Sequence, residues 1–170
     1  ELEFLAARLS SSFGGLNGSI SLNLLSKDVD RGFEILRAVL AAPSFQEDKL
    51  ALRKTQLLQG LKQRNDDSRN IESRERNFLA YGEDFWFNRH TTAASLESIL
   101  REDLLAFHHE WVHPRNFIVS ISGDFDRDAM LKRLDGVFDA WPHPGKKTPP
   151  VPQEREYGKS GVYIVNKDVN

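Results

Sequence analysis

The 170 residues carry a formal net charge of −2 at pH 7, 28% of them are charged, and none is cysteine. This composition is that of an ordinary soluble protein with no basic patch for nucleic acid, and the lack of cysteine excludes disulfides and thiolate metal sites. No run approaches the roughly 18 apolar residues of a membrane span, and the N-terminus lacks the basic-then-apolar layout of a signal peptide.

Helices dominate the first half of the predicted structure. Apolar residues at helical spacing predict a helix over residues 2–9, and Gly14 and Gly15 follow it. Apolar and polar residues alternate over residues 18–25, which predicts a half-buried strand. The next helix can be capped by Ser26 or Asp28 and is ended by Pro43. Two more helices are predicted over residues 46–64 and 71–80.

The second half begins with a segment that has no periodicity, residues 81–94, here called the aromatic loop. A short turn over residues 96–100 leads into a helix over residues 101–112, then a mostly buried strand over residues 117–122 and a helix over residues 126–139. Pro-rich sequence follows, and residues 161–165 have the pattern of another strand.

These elements predict the α+β class, with a mixed, largely antiparallel sheet and helices packed mainly on one of its faces. We expect three parts: a main domain over residues 1–141, a Pro-rich linker over residues 142–160, and the first strand of a following domain over residues 161–170. We also expect both ends of the sequence to be internal to a longer protein.

One motif has the form of a zinc site: His109-Glu110-Trp111-Val112-His113, an H-E-x-x-H. On a helix, this spacing places two imidazoles on one face with the Glu as general base. Its surroundings favour a solvated helix face instead. His109 and His113 fall opposite the apolar stripe, facing water, and Pro114 biases His113 out of the helix. His108, on the apolar face, is predicted to be a hydrogen-bonded core histidine.

The aromatic loop offers the one candidate contact surface, formed by Phe85, Trp86 and Phe87. Two readings stay open for it, because the rings can pack beneath the loop or touch a ligand, and packing is the more usual fate of large aromatic side chains. Three consecutive side chains cannot all point one way. We therefore expect Trp86 to differ from its neighbours in burial.

The ordered motifs resemble the insulinase and pitrilysin-like zinc metallopeptidases, a family that includes the mitochondrial processing peptidase subunits. The resemblance covers nearly the whole chain. It is carried by the helix and turn of residues 5–14, the strand of residues 18–25, Ala42-Pro43-Ser44-Phe45 before a long charged helix, Tyr81-Gly82, Ser95-Leu96-Glu97-Ser98-Ile99 with Arg101-Glu102-Asp103-Leu104, then Phe107, Pro114, Asn116 and Ser122-Gly123-Asp124.

The resemblance implies that this chain is a degenerate domain of the family. The family's metal is held by an inverted motif, H-x-x-E-H, which occurs nowhere in the 170 residues. Its distal Glu ligand lies in the long helix, where this chain has Ala51-Leu52-Arg53-Lys54, and Glu47 lies about one helical turn too early. The H-E-x-x-H at His109 matches an ordinary helix of the family, so it is expected to be a chance match.

The implied function is a catalytically inactive peptidase-like domain of a bacterial zinc protease. It would support the fold or enclose peptide substrate beside an active or pseudo-symmetric domain or subunit, with no zinc bound by this chain and zinc only in the active partner. One alternative is an active zinc endopeptidase whose inverted motif lies upstream. Another is a non-peptidase assembly subunit. The resemblance implies the bacterial cytoplasm or periplasm, and a fold like that of the processing peptidase subunits.

Overall fold

The computed structural model describes residues 1–139, 141, 148–153 and 158–165. These residues form two strands and six α-helices, joined by short 3₁₀ turns at Ser26–Asp28, Trp86–Asn88 and Pro114–Asn116. The regular elements are β1 (Arg8–Gly14), β2 (Asn17–Asn23), α1 (Val29–Ala41), α2 (Glu47–Lys62), α3 (Ser68–Tyr81), α4 (Ala93–Ser98), α5 (Arg101–Trp111) and α6 (Arg127–Phe138). The predicted α+β class is confirmed. No helix in this part of the chain is both long and apolar enough to cross a membrane.

The N-terminal segment is a β-hairpin, so the helix predicted over residues 2–9 is wrong. Strand β1 pairs antiparallel with β2 from Arg8↔Asn23 to Gly14↔Asn17. Ala6 has a φ of 48°, a left-handed conformation that a continuing α-helix does not allow. Gly15, with a φ of 57°, provides the turn. Cross-strand pairing, which the leucine spacing does not report, therefore decides the structure here.

The hairpin has one polar and one packed face, as the alternation in residues 18–25 predicts. On the polar face, the hydroxyl groups of Ser10 and Ser21 lie 2.9 Å apart, and those of the Ser12 and Ser19 pair lie at the same distance. On the other face, Leu22 and Leu24 approach Gly32 of α1 so closely that a Cβ there would lie 2.0 Å from a Leu24 methyl group. A larger residue at Gly32 would therefore have to move the Leu24 side chain from its place against α1.

Contacts divide the chain into two compact units. The first comprises Glu1–Phe45 and Glu102–Pro149. Its buried apolar side chains lie on α1 and α6 and just beyond α6, and they include Leu40, Met130 and Trp141. Phe117 packs edge-on against Trp141, with ring centroids 5.7 Å apart. An ion pair on the surface of this unit joins Asp30 to Arg133, with Nε to Oδ1 at 2.5 Å.

Residues 117–122, predicted to form a strand, are in no hydrogen-bonded strand in the structure. Ile118 is 97% exposed, and Val119 and Ile121 are exposed as well. A strand exists only through its partner, and within the described residues the sheet contains β1 and β2 alone. The β-branched composition was therefore insufficient to predict a strand.

The second unit comprises Gln46–Arg101 and Pro150–Asn170. Helix α2 packs on α4, whose Leu96 is 5% exposed. A reciprocal capping box starts α4: Thr92 accepts from the Ser95 backbone, and Ser95 accepts from the Thr92 backbone. Helix α3 begins at Asp67, whose side chain accepts a hydrogen bond from the Arg69 N–H at 2.8 Å.

The predicted domain organisation stays a prediction. Of the predicted linker, residues 142–147 and 154–157 lie outside the described residues, and residues 148–153 are exposed without helix or strand. Residues 161–165 of the predicted following domain are exposed and form no strand pair, and residues 166–170 lie outside the described residues.

Candidate functional site

The aromatic loop begins where helix α3 ends. Gly82 caps this helix with a φ of 84°, and its N–H donates to Phe78 O at 2.9 Å. Positive φ at a helix C-terminus is a conformation that glycine adopts without steric cost. Gly82 therefore turns the chain sharply, so that the three aromatic residues return beside the end of the helix.

Asn88 holds this turn closed. Its side-chain Nδ2 donates to Gly82 O at 2.6 Å and to Asn77 O at 3.0 Å, and the residue is only 3% exposed. Its backbone N–H donates to Phe85 O at 2.8 Å, which closes the 3₁₀ turn. The sequence reasoning missed Asn88. The one signal was an amide residue directly after three aromatic residues, at the point where a turn must end.

The aromatic rings form one connected cluster. The Tyr81 and Phe85 ring centroids are 5.6 Å apart, and those of Phe85 and Trp86 are 5.4 Å apart. Phe87 lies edge-on to Trp86 at 5.7 Å with an interplanar angle of 90°. Offset and edge-to-face pairs are the favoured aromatic geometries, so the rings stabilise one another and the loop.

The rings of the cluster differ in burial, but Trp86 is not the one that differs from both of its neighbours. Phe85 and Trp86 are both half-buried, whereas Phe87 is 51% exposed. Trp86 therefore differs from Phe87 but not from Phe85. The Trp86 ring lies between its two neighbours, with centroids 5.4 Å from Phe85 and 5.7 Å from Phe87, whereas the Phe85 and Phe87 rings both contact Tyr81. Whether these residues contact a substrate stays a prediction.

The H-E-x-x-H motif does not form a zinc helix. Helix α5 ends at Trp111, and His113 is extended, with φ −150° and ψ 159°, as Pro114 predicts. His109 is exposed, as expected, but His113 is 1% exposed, so the prediction that it faces water is wrong. The two imidazoles do not lie on one face of a helix.

His113 is buried because it stabilises the corner after α5. Asn116 Nδ2 donates to Trp111 O at 3.0 Å, which fixes the orientation of the amide, and the same nitrogen lies 3.1 Å from His113 Nε2. His113 Nε2 is therefore the acceptor of that contact. Within the described residues, His113 Nδ1 is buried without a hydrogen-bond partner.

His108 is a core histidine, as predicted. Its Nε2 lies 2.7 Å from Leu40 O, to which it donates, and its ring packs edge-on against Phe45 at 5.9 Å. It is half-buried between α5 and the end of α1. Both contacts anchor helices, which is the structural role predicted for it.

The position that the resemblance gives to the distal ligand lies on α2. Ala51 is exposed, and Lys54 Nζ donates to Glu97 O at 2.9 Å at the end of α4. Glu47 lies in the first turn of α2. Among the residues that the structure describes, no group of three or more His, Asp or Glu side chains could hold a metal ion.

Comparisons with known proteins bear on both fold and family. Residues 98–170 match the family model described as the peptidase M16 inactive domain. The fold is similar to the crystal structure of a peptidase M16 inactive domain from Pseudomonas fluorescens, with a TM-score of 0.77 and 22% sequence identity. That match covers 92% of this chain and 38% of the other chain. No curated protein matches the sequence.

Proposed function

We propose that this chain encloses peptide substrate beside an active peptidase domain or subunit. The family-model match and the fold both support an insulinase-like, catalytically inactive peptidase domain. The match of residues 98–170 to the inactive-domain model carries this proposal. In it, zinc is held only by the active partner, and this chain contributes a wall of the substrate chamber.

The chemistry of α2 supports the assignment of zinc to the partner. A structural or catalytic zinc site needs at least three protein ligands of the His, Cys, Asp or Glu type. The distal-ligand position has no carboxylate at Ala51, and one helical turn further the Lys54 ammonium is bonded to Glu97 O. A positive charge at that place disfavours binding of a divalent cation.

The aromatic loop is the proposed substrate contact of this chain. Phe85 and Trp86 are packed into the cluster, and Phe87 presents half of its ring to solvent. A rigid ring with little conformational freedom to lose is a favourable contact for the apolar side chains of an extended peptide. Asn88 fixes the backbone beneath the rings, so the loop is ordered before any peptide arrives.

The first test is metal analysis of the purified protein. After exposure to zinc and removal of free metal, we expect far less than one zinc per chain and no peptide cleavage by the chain alone. Near-stoichiometric zinc would refute the proposal and favour an active endopeptidase. Stable co-purification with a complex that contains no peptidase would instead favour the assembly-subunit reading.

The second test addresses substrate contact in the complex with the active partner. Phe87→Ala is compared with Phe107→Ala, because Phe107 on α5 is 55% exposed and so matches Phe87 in residue type and exposure. We expect Phe87→Ala to raise KM for a quenched fluorescent peptide several-fold at unchanged kcat, because a contact made equally in the ground and transition states affects only binding. Equal KM values for the two variants would remove the loop from the proposal.

A further inference from the structure

Two buried polar atoms of the aromatic loop lack hydrogen-bond partners. They are Trp86 Nε1 and Asn88 Oδ1, and neither has a partner within the described residues. Buried polar groups in proteins are nearly always hydrogen-bonded, and a buried indole N–H in particular usually finds an acceptor. The loop is therefore short of one acceptor and one donor, two residues apart in a single 3₁₀ turn.

The two atoms have opposite hydrogen-bonding roles. Trp86 Nε1–H can only donate, and the Asn88 oxygen can only accept. An anion would satisfy Trp86 but repel the Asn88 oxygen, and a cation would do the reverse. In an extended peptide, the C=O and N–H of one residue point to the same side of the chain, so the main chain of a single residue can offer both an acceptor and a donor. A single water molecule can also do so, which makes water the competing occupant.

The surroundings of the pair favour a peptide that enters from the loop's exposed side. Both hydrogen bonds of Asn88 Nδ2 go to backbone carbonyls, so the amide cannot rotate and its oxygen keeps one direction. Phe87, the exposed ring, lies edge-on against Trp86.

We propose that the turn of residues 86–88 binds the main chain of one residue of an extended peptide, with Trp86 Nε1–H donating to that residue's C=O and Asn88 Oδ1 accepting from its N–H. This inference rests on the proposed function and deepens it, because it states how the loop holds substrates of different sequence. Phe87 selects for apolar side chains, and the polar pair recognises the main chain that all peptides share.

The test separates the two hydrogen bonds by changing a different partner for each. Trp86→Phe removes the indole donor and keeps an aromatic ring. Asn88 is left unchanged because it closes the loop, and the peptide is altered instead, by N-methylating one amide at a time. The probe is a short fluorescein-labelled peptide of alternating leucine and serine, whose sequence is not critical because the recognised groups belong to the main chain.

In the purified protein, we expect Trp86→Phe to weaken binding of the probe about 5- to 10-fold, the effect of one neutral hydrogen bond. N-methylation at a single position should weaken binding to a similar degree, while methylation elsewhere has little effect. Trp111→Phe, on α5, is the matched control and should leave the affinity unchanged.

Unchanged affinity for Trp86→Phe, or for every N-methylated probe, would overturn the inference and leave water as the occupant of the pair. A protein that binds no probe at all would overturn it as well. Neither result affects the metal analysis or the KM comparison of Phe87→Ala with Phe107→Ala, so failure of this inference can be told apart from failure of the proposed function.

Discussion

Replacing Asn88 with alanine should loosen the aromatic loop without unfolding the protein. The side chain makes two hydrogen bonds, to Gly82 O at 2.6 Å and to Asn77 O at 3.0 Å, and it is almost fully buried. Each such bond contributes about 0.5–1.5 kcal/mol net, so their loss costs about 2 kcal/mol. Gly82 O keeps a contact from the Phe85 N–H at 3.4 Å, which limits the penalty of leaving that carbonyl unpaired.

This free-energy loss falls on a local opening of the loop, which hydrogen exchange can measure. About 1.4 kcal/mol corresponds to a tenfold change in an equilibrium constant, so about 2 kcal/mol raises the open population roughly 30-fold. The amides to follow are those of Asn88 and Arg89, which donate to Phe85 O and Trp86 O. Faster exchange is expected at both in Asn88→Ala.

The matched control is Arg89→Ala, a neighbouring exposed residue whose substitution should change stability by no more than about 0.5 kcal/mol. If Asn88→Ala and Arg89→Ala show the same exchange rates in the loop, the two side-chain hydrogen bonds do not hold the turn closed. The account of a pre-ordered contact surface would then fail.

Three further perturbations test the structure elsewhere. His113→Ala should lower the free energy of unfolding by about 1–3 kcal/mol in urea denaturation, whereas His109→Ala should stay within about 0.5 kcal/mol; equal losses would contradict the burial difference. The hydrogen bond from Arg133 holds the pKa of Asp30 below its ordinary value of 3.8. A carboxyl group whose pKa is lower in the folded than in the unfolded protein stabilises the fold at pH values above its unfolded-state pKa. The difference in the free energy of unfolding between wild type and Asp30→Asn should therefore persist at neutral pH and shrink as the pH falls below about 3.8; a constant difference would refute this. Trp86→Ala should cost well under the roughly 3–5 kcal/mol of a core aromatic, since Trp86 is half-buried, and a full core-sized loss with unchanged peptide binding would remove it from the contact surface.

Local patterns predicted those elements that need no distant partner. Helix α2 and helix α6 follow directly from apolar spacing and from capping residues such as Asp126, whose side chain accepts from the Ala129 N–H at 2.8 Å. Strand β1 could not be predicted in this way, because its serines form their hydrogen bonds across the hairpin and its Leu9 falls at helical spacing from Leu2 and Leu5, which precede the strand. A strand forms only where another segment pairs with it, and the local sequence pattern does not identify that segment.

The candidate site shows the same limit. The three aromatic residues could be recognised from the sequence, but their order of exposure depends on a 3₁₀ turn that Asn88 closes from the other end. For His113, the local conformation was predicted correctly but the burial was not. Pro114 correctly predicted that His113 leaves the helix, and it was this departure that carried the imidazole into the interior instead of toward water.

The departure of this chain from the ligand pattern that the resemblance implies involves more than one residue. Restoring a carboxylate at Ala51 would supply one oxygen ligand on an exposed helix face, and the described residues offer no group of three that could complete a site around it. One turn away, Lys54 has taken a packing role, because its ammonium group bonds to Glu97 O, where a cation stabilises the C-terminal end of α4. Removing Lys54 to make room for a metal would therefore weaken the contact between α2 and α4. The face that the resemblance gives to metal binding therefore holds α2 and α4 together through Lys54, so a single substitution at Ala51 is not expected to create zinc binding.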